Sequence, residues 1–205
     1  MFTGIVTAIG TIASVEDRGD LHIRIAGPYD PDGMAIGASI ACSGVCLTVV
    51  ERGGSAGDSW FAVDVSGETV SRTAPGQWTE GRRLNLEQAL RLGDELGGHL
   101  VTGHVDAVGT IAKMQDEGGS IRLDIRAPKA IAPFVAEKGS ITVDGVSLTV
   151  NRVEDLADGD VVFGLNIIPH TGEVTTLGAL AAGDTVNLEI DVLARYLKRM
   201  ESLRR

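Results

Sequence analysis

Four side chains suited to proton transfer or metal binding lie in two short stretches of the chain. Cys42 and Cys46 belong to ACSGVC, and His99 and His104 belong to GGHLVTGHVD. An imidazole titrates near neutral pH and can move protons. Thiols and imidazoles also bind zinc, but zinc sites generally use closer pairs, such as two cysteines separated by two residues. The spacing therefore disfavours a metal, and we predict a metal-free site.

The stretch around His104 belongs to an internal repeat. MFTGIVTAIGTI (1–12) aligns with LVTGHVDAVGTI (100–111), and SIACSGVCLTVV (39–50) aligns with SITVDGVSLTVN (140–151), each with seven identities in twelve positions. Two further pairs follow in the same order, FAVDVSGET with FGLNIIPHT and LNLE with VNLE. A nearly constant offset of 99 to 102 residues indicates two copies of one domain. The zinc alternative weakens further, because neither copy repeats the ligands of the other.

Each copy has the pattern of a small all-β domain. Apolar residues alternate around Asp144-Gly145 and around its counterpart Ser43-Gly44, which predicts two-residue hairpins. About six short strands per copy favour a closed barrel. We predict two tandem six-stranded Greek-key β-barrels followed by a C-terminal α-helix, with boundaries at 1–99, 100–190 and 191–205. Such a fold disfavours a Ser–His–Asp hydrolase, and a phosphate-binding glycine loop after a parallel strand is absent from the sequence.

Helices are predicted at three places. LNLEQALRLGD (84–94) suggests a short helix after the first copy, and the turn-rich APKAIAPFVAEKG (127–139) has room for one or two helical turns. The C-terminal segment carries an apolar stripe at helical spacing, formed by Val192, Leu193, Tyr196, Leu197, Met200 and Leu203. This stripe needs a partner, either its own barrel or another subunit.

The composition restricts the class of protein. The 205 residues carry a formal net charge of −10 with no basic stripe, which argues against nucleic-acid binding. No apolar run of about 18 residues is present, so we expect no membrane span. The start of the chain lacks a charged segment typical of a signal peptide, and two cysteines in an acidic chain are typical of reduced thiols. We therefore expect a cytoplasmic protein.

Positions at which the two copies differ are candidates for separate chemical roles. The pairs are Ile5 and His104, Cys42 and Val143, Ser43 and Asp144, Cys46 and Ser147, Glu68 and His170, and Gly37 and Lys138. His104 is the favoured proton-transfer group because its counterpart is apolar. Cys42 is predicted to be a core residue and Cys46 to face a polar site. His22 is interpreted as structural, and His99 remains ambiguous.

The repeated motifs together resemble one known family. MFTGIV, CLTV, GGHLVTGHVD, DGVSLTVN and NIIPHT followed by TTLG are similar to the riboflavin synthase alpha chain, in order and along almost the whole sequence. The resemblance implies two lumazine-binding barrels, a terminal helix and a homotrimer. It also implies dismutation of two 6,7-dimethyl-8-ribityllumazine molecules into riboflavin and a ribitylamino-pyrimidinedione, without a cofactor or metal. Two bound copies of one substrate would explain two copies of one domain.

The resemblance further implies the ligand positions. The set assigned to the first barrel is Phe2, Gly4, Ile5, Val6, Cys46, Leu47, Thr48, Asp64, Val65, Ser66, Gly67, Glu68 and Thr69. The set assigned to the second barrel is Gly103, His104, Val105, Lys138, Ser147, Leu148, Thr149, Asn166, Ile167, Ile168, Pro169, His170 and Thr171. Backbone groups of extended strands suit a pteridine edge, and hydroxyls suit a ribityl chain. The two ring systems are expected to stack on each other, with Phe2 closing one side.

The expected chemistry needs only a modest base, because holding two rings in the right orientation removes a large entropic barrier. We predict that His104 transfers protons, that Cys46 and Ser147 are polar or nucleophilic groups, and that Ser39 and Asp191 support them. The alternatives are a non-enzymatic lumazine- or flavin-binding protein and a purely structural barrel oligomer. Both CLTV and SLTV persist in this chain, which favours the enzyme.

Overall fold

Alternating apolar residues and tight turns close the first half of the chain into a barrel. In the computed structural model, which describes residues 1–204, six antiparallel strands follow the order β1-β2-β5-β4-β3-β6, and β6 pairs back onto β1. A helix, α1 (Gly67–Arg72), lies between β5 and β6 in the chain. The strands are β1 (Ala8–Asp17), β2 (Leu21–Gly27), β3 (Ser39–Cys42), β4 (Val45–Ser55), β5 (Asp58–Val65) and β6 (Arg83–Gln88). The predicted six-stranded barrel is confirmed here.

The second half repeats this arrangement with one interruption. Its strands are β7 (Ala107–Asp116), β8 (Ile121–Ala127), β9 (Ser140–Val143), β10 (Val146–Thr149), β11 (Arg152–Asp155), β12 (Val161–Ile167) and β13 (Thr185–Ile190). They form a curled sheet in the order β10-β9-β13-β7-β8-β12-β11, and α2 (Pro169–Val174) precedes β13. Six strands were predicted and seven are present. The strand equivalent to β4 breaks at Val150 and Asn151, whose N–H groups donate to Gly139 on one side and Gly164 on the other.

Each barrel has its own apolar core. Phe61 and Phe163 are fully buried at equivalent positions, surrounded by the inward-facing residues of their own strands. Cys42 belongs to the first core, as predicted, and burial raises the pKa of its thiol well above the usual range. This thiol is therefore held in its neutral, unreactive form at physiological pH.

The two predicted hairpin turns are confirmed, and they meet at the centre of the molecule. Ser43 and Asp144 each have a φ of 45°, and the glycines that follow have φ near 80°, which is the geometry of a type I′ turn. A Cβ added to Gly44 would lie 2.9 Å from the backbone nitrogen of Gly145. Only glycine allows this approach, so the turns fix the two barrels against each other.

Two asparagines cross between the barrels beside these turns. The Asn85 side chain donates to the Asp144 carbonyl at 2.9 Å, and the Asn187 side chain donates to the Ser43 carbonyl at 2.9 Å. The two bonds are equivalent under the repeat, which gives the chain an approximate twofold axis. Polar groups buried at this axis are thereby satisfied.

The predicted terminal helix is present, and most of its apolar stripe is exposed to solvent. Helix α3 (Val192–Ser202) begins at Asp191, whose carboxylate accepts from the Leu193 N–H, and Arg195 pairs with Asp106 at 2.8 Å. About two thirds of the Leu197 side chain is exposed. The stripe therefore does not pack on its own barrel. No helix within residues 1–204 has the length and apolar character needed to cross a bilayer.

The helix predicted for residues 84–94 is wrong. Residues 84–88 belong to β6, because Leu84 and Leu86 point into the first core and their backbones pair with β1. The alternation of LNLE has the period of a strand, and barrel closure determines the outcome. The turn-rich segment 127–139 holds a single 3₁₀ turn at Ala132–Phe134.

We predict that Asp144 makes stability depend on pH. Burial raises its pKa from 3.8 to about 7, although the Asn187 N–H and Arg82 favour the ionised form. The folded state then binds more protons than the unfolded state between these values. Its stabilising contribution is complete below about pH 4 and is lost as the pH rises to about 7.

The matched variant is Asp144→Asn, because asparagine accepts the left-handed turn conformation and does not titrate. Relative to this variant, the wild-type free energy of unfolding should fall by up to about 4 kcal/mol from pH 4 to pH 7, and then level off. Denaturant titrations at a series of pH values measure the difference. Parallel pH curves for the two proteins would contradict the assignment.

Candidate functional site

The segments that precede β1 and β7 cross between the two barrels. We call residues 1–7 the first arm and residues 100–106 the second arm. Phe2 and Val101 exchange backbone hydrogen bonds of 2.8 and 3.1 Å, so the arms pair antiparallel with each other. Val6 then packs against the core of the second barrel, and Val105 packs against the core of the first. Each barrel therefore receives the arm of the other.

Each arm touches the opposite barrel through a glycine. The Ser147 N–H donates to the Gly4 carbonyl at 2.8 Å, and the Cys46 N–H donates to the Gly103 carbonyl at 2.9 Å. Gly4 and Gly103 have φ of 76° and 78°, and a Cβ on either would lie 2.6 to 2.7 Å from the Cβ of its partner. The contact thus requires glycine both for its backbone angle and for its closeness.

This exchange corrects the predicted grouping of the ligand residues. Cys46, Leu47 and Thr48 share a surface with the second arm and its His104, and we call this the Cys46 site. Ser147, Leu148 and Thr149 share a surface with Gly4, Ile5 and Val6, and we call this the Ser147 site. The arms had been assigned to the barrels that follow them in sequence. That assignment is wrong, because the paired arms carry each segment to the neighbouring barrel.

His99, which the sequence left ambiguous, belongs to the Ser147 site. Its Nδ1 lies 2.7 Å from the Ser147 Oγ, and its Nε2 lies 3.2 Å from the Thr142 Oγ1. Burial lowers the pKa of His99, while the charges of Asp191 and Glu189 oppose that shift. The imidazole is therefore neutral near pH 7 and able to accept a proton. The charge of Asp191, a predicted supporting residue, favours the protonated form of His99, and its supporting role stays a prediction.

The repeat comparison had no means of finding His99. His99 precedes the aligned stretch 100–111, so the alignment of the two copies pairs it with no residue. The residue lies in the linker between the copies and has no twin with which to compare it. The contact that locates His99 is structural: its N–H donates to the Thr3 carbonyl at 3.1 Å, beside the pairing of Phe2 with Val101.

His104 has an exposed side chain and follows Gly103, whose carbonyl accepts from the N–H of the half-buried Cys46. Ser39 adjoins the Cys46 site because it is paired with Thr48 across β3 and β4. Phe2 differs from expectation: its ring is fully buried with Ala41 and Val101 beneath the paired arms. It supports the arms and has no exposed surface with which to stack on a ligand.

The remaining predicted segments, 64–69 and 166–171, each run from the end of a strand into a short helix. Val49 lies opposite Val63, so antiparallel continuation places 46–48 beside the end of β5 and the start of α1. Ser66 caps α1, its Oγ accepting from the Thr69 N–H at 3.2 Å. Residues 166–171 occupy the equivalent position at α2, where Ile168 and Pro169 start the helix.

Two further predicted positions, Asp64 and Lys138, make contacts within their own barrels. The carboxylate of Asp64 lies 2.7 Å from the Nδ1 of His22, consistent with a structural role for that histidine. Lys138 has a φ of 63°, whereas its counterpart Gly37 has 86°. The Gly37 N–H donates to the Val49 carbonyl in β4, and the Lys138 N–H donates to the equivalent Val150 carbonyl just after β10. A lysine in a conformation that favours glycine is a strained feature of the second barrel.

The zinc alternative has no support in the described part of the chain. Within residues 1–204, no group of three or more histidine, cysteine or acidic side chains is placed to hold a metal ion. His99 is engaged with two hydroxyls, and Cys42 is enclosed in the first core.

Comparison with known proteins agrees with this architecture. The family model described as the lumazine binding domain matches twice, at residues 3–89 and 102–191. The chain is 49% identical over 204 residues to riboflavin synthase of Brucella abortus (strain 2308), covering 98% of both chains. It is 45% identical over 202 residues to that of Mycobacterium bovis, again with 98% of each covered. The chain belongs to the riboflavin synthase family.

Solved structures of another protein, LumP, have the same fold as this chain. LumP in its complex with riboflavin superposes with a TM-score of 0.77 at 24% identity, covering 93% of this chain and 99% of LumP. LumP complexed with 6,7-dimethyl-8-(1'-D-ribityl) lumazine gives a TM-score of 0.75. Both matches extend across the two barrels, so the tandem arrangement is a property of the fold.

We predict that Gly103→Ala detaches the second arm from the Cys46 site. The new methyl group would clash with Cys46, so the Cys46 amide should exchange its hydrogen about tenfold faster or more, as expected when a protecting bond opens. The matched control is Gly118→Ala, which has a similar φ of 71° but no atom within 4 Å of the new methyl group. Amide hydrogen exchange measures both variants. Unchanged protection of Cys46 in Gly103→Ala would argue against the contact.

Proposed function

We propose that this protein catalyses the dismutation of two 6,7-dimethyl-8-ribityllumazine molecules. One molecule gives a four-carbon unit to the other, which yields riboflavin and 5-amino-6-(ribitylamino)pyrimidinedione. The proposal rests on the Cys46 site and the Ser147 site. Each of these two surfaces is formed by an arm and a strand in the same arrangement. Two similar sites in one chain suit a reaction that consumes two copies of one substrate, and near full-length similarity to riboflavin synthases supports the same reaction.

The two sites share a framework and differ in their polar side chains. The backbone groups of arm and strand present the same donors and acceptors in both, which suits two identical ligands. The Cys46 site adds a thiol and His104, whereas the Ser147 site adds a hydroxyl bonded to His99. Donor and acceptor molecules need different proton transfers, and this difference supplies them.

The Ser147–His99 pair is the better formed proton-transfer group. The neutral imidazole can take a proton through the Ser147 hydroxyl, and Asp191 and Glu189 stabilise the charge that results. His104 has the corresponding role in the Cys46 site. The substrate ring delocalises the carbanion left when its methyl group loses a proton, so we propose that no cofactor or metal takes part.

The activity is tested by mixing the pure protein with 6,7-dimethyl-8-ribityllumazine and following riboflavin absorbance. One riboflavin should form for every two substrate molecules consumed. Binding of the lumazine without turnover would contradict an enzyme and favour a ligand-binding protein. Absence of both binding and turnover would favour a structural oligomer.

His99→Gln should lower kcat by about 10- to 100-fold, because glutamine forms hydrogen bonds but does not accept the proton. The control is His22→Gln, which changes a histidine bonded to Asp64 in the first barrel and should lower the rate far less than His99→Gln. Steady-state kinetics with both variants measure the difference. Equal rates for His99→Gln and wild type would remove His99 from the mechanism.

The exposed stripe on α3 supports a homotrimer in which reacting sites meet between subunits. Large apolar side chains such as Leu193, Leu197 and Met200 are mostly exposed along one helix, and such patches mark interaction surfaces. The approximate twofold axis runs between the arms, so the two sites of one chain lie on opposite sides of it. A ring would bring the Cys46 site of one subunit to the Ser147 site of the next.

The proposed organisation therefore has three parts: a first barrel unit (1–99), a second barrel unit (100–190) and an oligomerisation segment (191–205). Each barrel unit lends its arm to the other. We propose a cytoplasmic location for the enzyme, with no nucleic acid or membrane as partner. Its partners are the lumazine substrate, the riboflavin product and two further copies of the chain.

A mixed-trimer experiment tests this arrangement. Cys46 and His104 share a site, so the disabling changes belong at Cys46→Trp and Ser147→Trp. Unfolding the two inactive proteins together and refolding them should restore part of the wild-type rate, because each mixed ring contains one interface with two intact sites. Each variant refolded alone is the control. Mixed trimers that stay inactive, verified by mass spectrometry, would place the reaction within one chain.

A further inference from the structure

Two buried carboxylates hold the arms. Glu87 follows Asn85 on the face of β6 that points away from the first core, is 6% exposed, and faces the first arm. Its Oε1 accepts from both the N–H and the hydroxyl of Thr3 at 2.7 Å, and its Oε2 accepts from the Gly4 N–H at 3.0 Å. One side chain therefore fixes the two residues that lead into the Ser147 site.

Glu189 makes the equivalent contacts to the second arm. It lies on β13 and is 3% exposed. Its Oε1 accepts from the Thr102 N–H at 2.7 Å and from the Thr102 hydroxyl at 2.6 Å. Its Oε2 accepts from the N–H groups of Gly103 at 2.9 Å and His104 at 3.1 Å. The arm that carries His104 into the Cys46 site is thus held by three consecutive backbone groups.

Barrel closure does not require these carboxylates. Strand β6 pairs with β1 and β3 through backbone bonds, and its inward residues Leu84 and Leu86 fill the core. Burying a carboxylate is costly unless it is paired or fully hydrogen-bonded. Neither glutamate forms an ion pair with lysine or arginine within residues 1–204. Backbone and threonine donors of the arms compensate the buried charge, so carboxylate and arm depend on each other.

We infer that Glu87 and Glu189 are positioning residues that act crosswise, Glu87 of the first barrel setting the Ser147 site and Glu189 of the second barrel setting the Cys46 site. The chain of contacts runs from the carboxylate to the arm backbone, through Gly4 or Gly103, to the N–H of Ser147 or Cys46. Calling these surfaces ligand sites rests on the proposed function. The crosswise coupling rests on the geometry alone.

A carboxylate is the side chain that meets these demands. It accepts through two oxygens with about four lone-pair positions, and it offers no hydrogen to the N–H groups in front of it. A glutamine has nearly the same size, but its amide nitrogen would face an N–H donor and leave it unsatisfied. Such a loss costs about 1 to 3 kcal/mol, more where the acceptor is charged.

The test compares Glu87→Gln and Glu189→Gln in the full-length protein by amide hydrogen exchange without ligand. Glu87→Gln should speed exchange at the Ser147 amide by about tenfold or more and leave the Cys46 amide unchanged, and Glu189→Gln should do the reverse. Glu16→Gln, at an exposed carboxylate paired with Arg18, controls for the lost charge. A loss of protection within the same barrel, in both sites equally, or in neither would overturn the inference.

A milder pair of variants covers the case in which a glutamine variant does not fold. Thr3→Val and Thr102→Val each remove the hydroxyl that donates to a glutamate and retain the shape of the side chain. The Thr3 hydroxyl also accepts from the Ile5 N–H at 3.1 Å, so Thr102→Val is the variant that removes the glutamate contact alone. Both variants should give the same crossed pattern with a smaller change, about two- to fivefold. Equal exchange in these variants and wild type would overturn the inference by itself.

Riboflavin as a probe separates this inference from the proposed function. In wild type, riboflavin should slow exchange in residues 46–49 and 146–149; Glu87→Gln should lose only the second effect, and Glu189→Gln only the first. No riboflavin effect in wild type would count against the proposed function, while the ligand-free exchange rates still decide the crosswise coupling. Loss of the effect in the glutamate's own barrel would count against the coupling alone.

Discussion

The contact between an arm glycine and a strand of the opposite barrel constrains the rest of this molecule. At Gly4 and Gly103 the backbone takes a left-handed conformation and approaches so closely that no side chain fits. Because of this contact, the arms must cross, the barrels must stay together, and every candidate site contains residues from both halves. Neither half holds a complete arm-and-strand surface by itself.

The same framework is built twice and then made unequal by a few side chains. Cys46 and Ser147 occupy equivalent places, but only the serine has a histidine bonded to it. At the centre, the Ser43 hydroxyl accepts from the Asn85 N–H, whereas the Asp144 carboxylate accepts from the Asn187 N–H. The backbone therefore supplies two similar binding surfaces, and the differences supply distinct proton chemistry. A reaction between two identical molecules in different roles needs both properties.

Much of the fold could be predicted from the sequence, because local patterns report local structure. The repeat indicated two barrels, and Ser43-Gly44 and Asp144-Gly145 indicated the two-residue hairpins. The arm exchange could not be predicted in this way, since an arm has the same sequence whichever barrel it joins. Residues 84–88 were misassigned because tertiary pairing with β1 decides their conformation. The role of His99 was not predicted, because the alignment of the two copies starts after it and pairs it with no residue.

The most direct test of the account is a crystal structure of the protein with riboflavin bound. The account predicts that a single flavin contacts residues 46–48 together with residues 103–105, and that a flavin in the other site contacts residues 147–149 together with residues 4–6. A flavin held by residues 46–48 together with residues 4–6 would contradict the exchange of arms, and with it the construction of both sites.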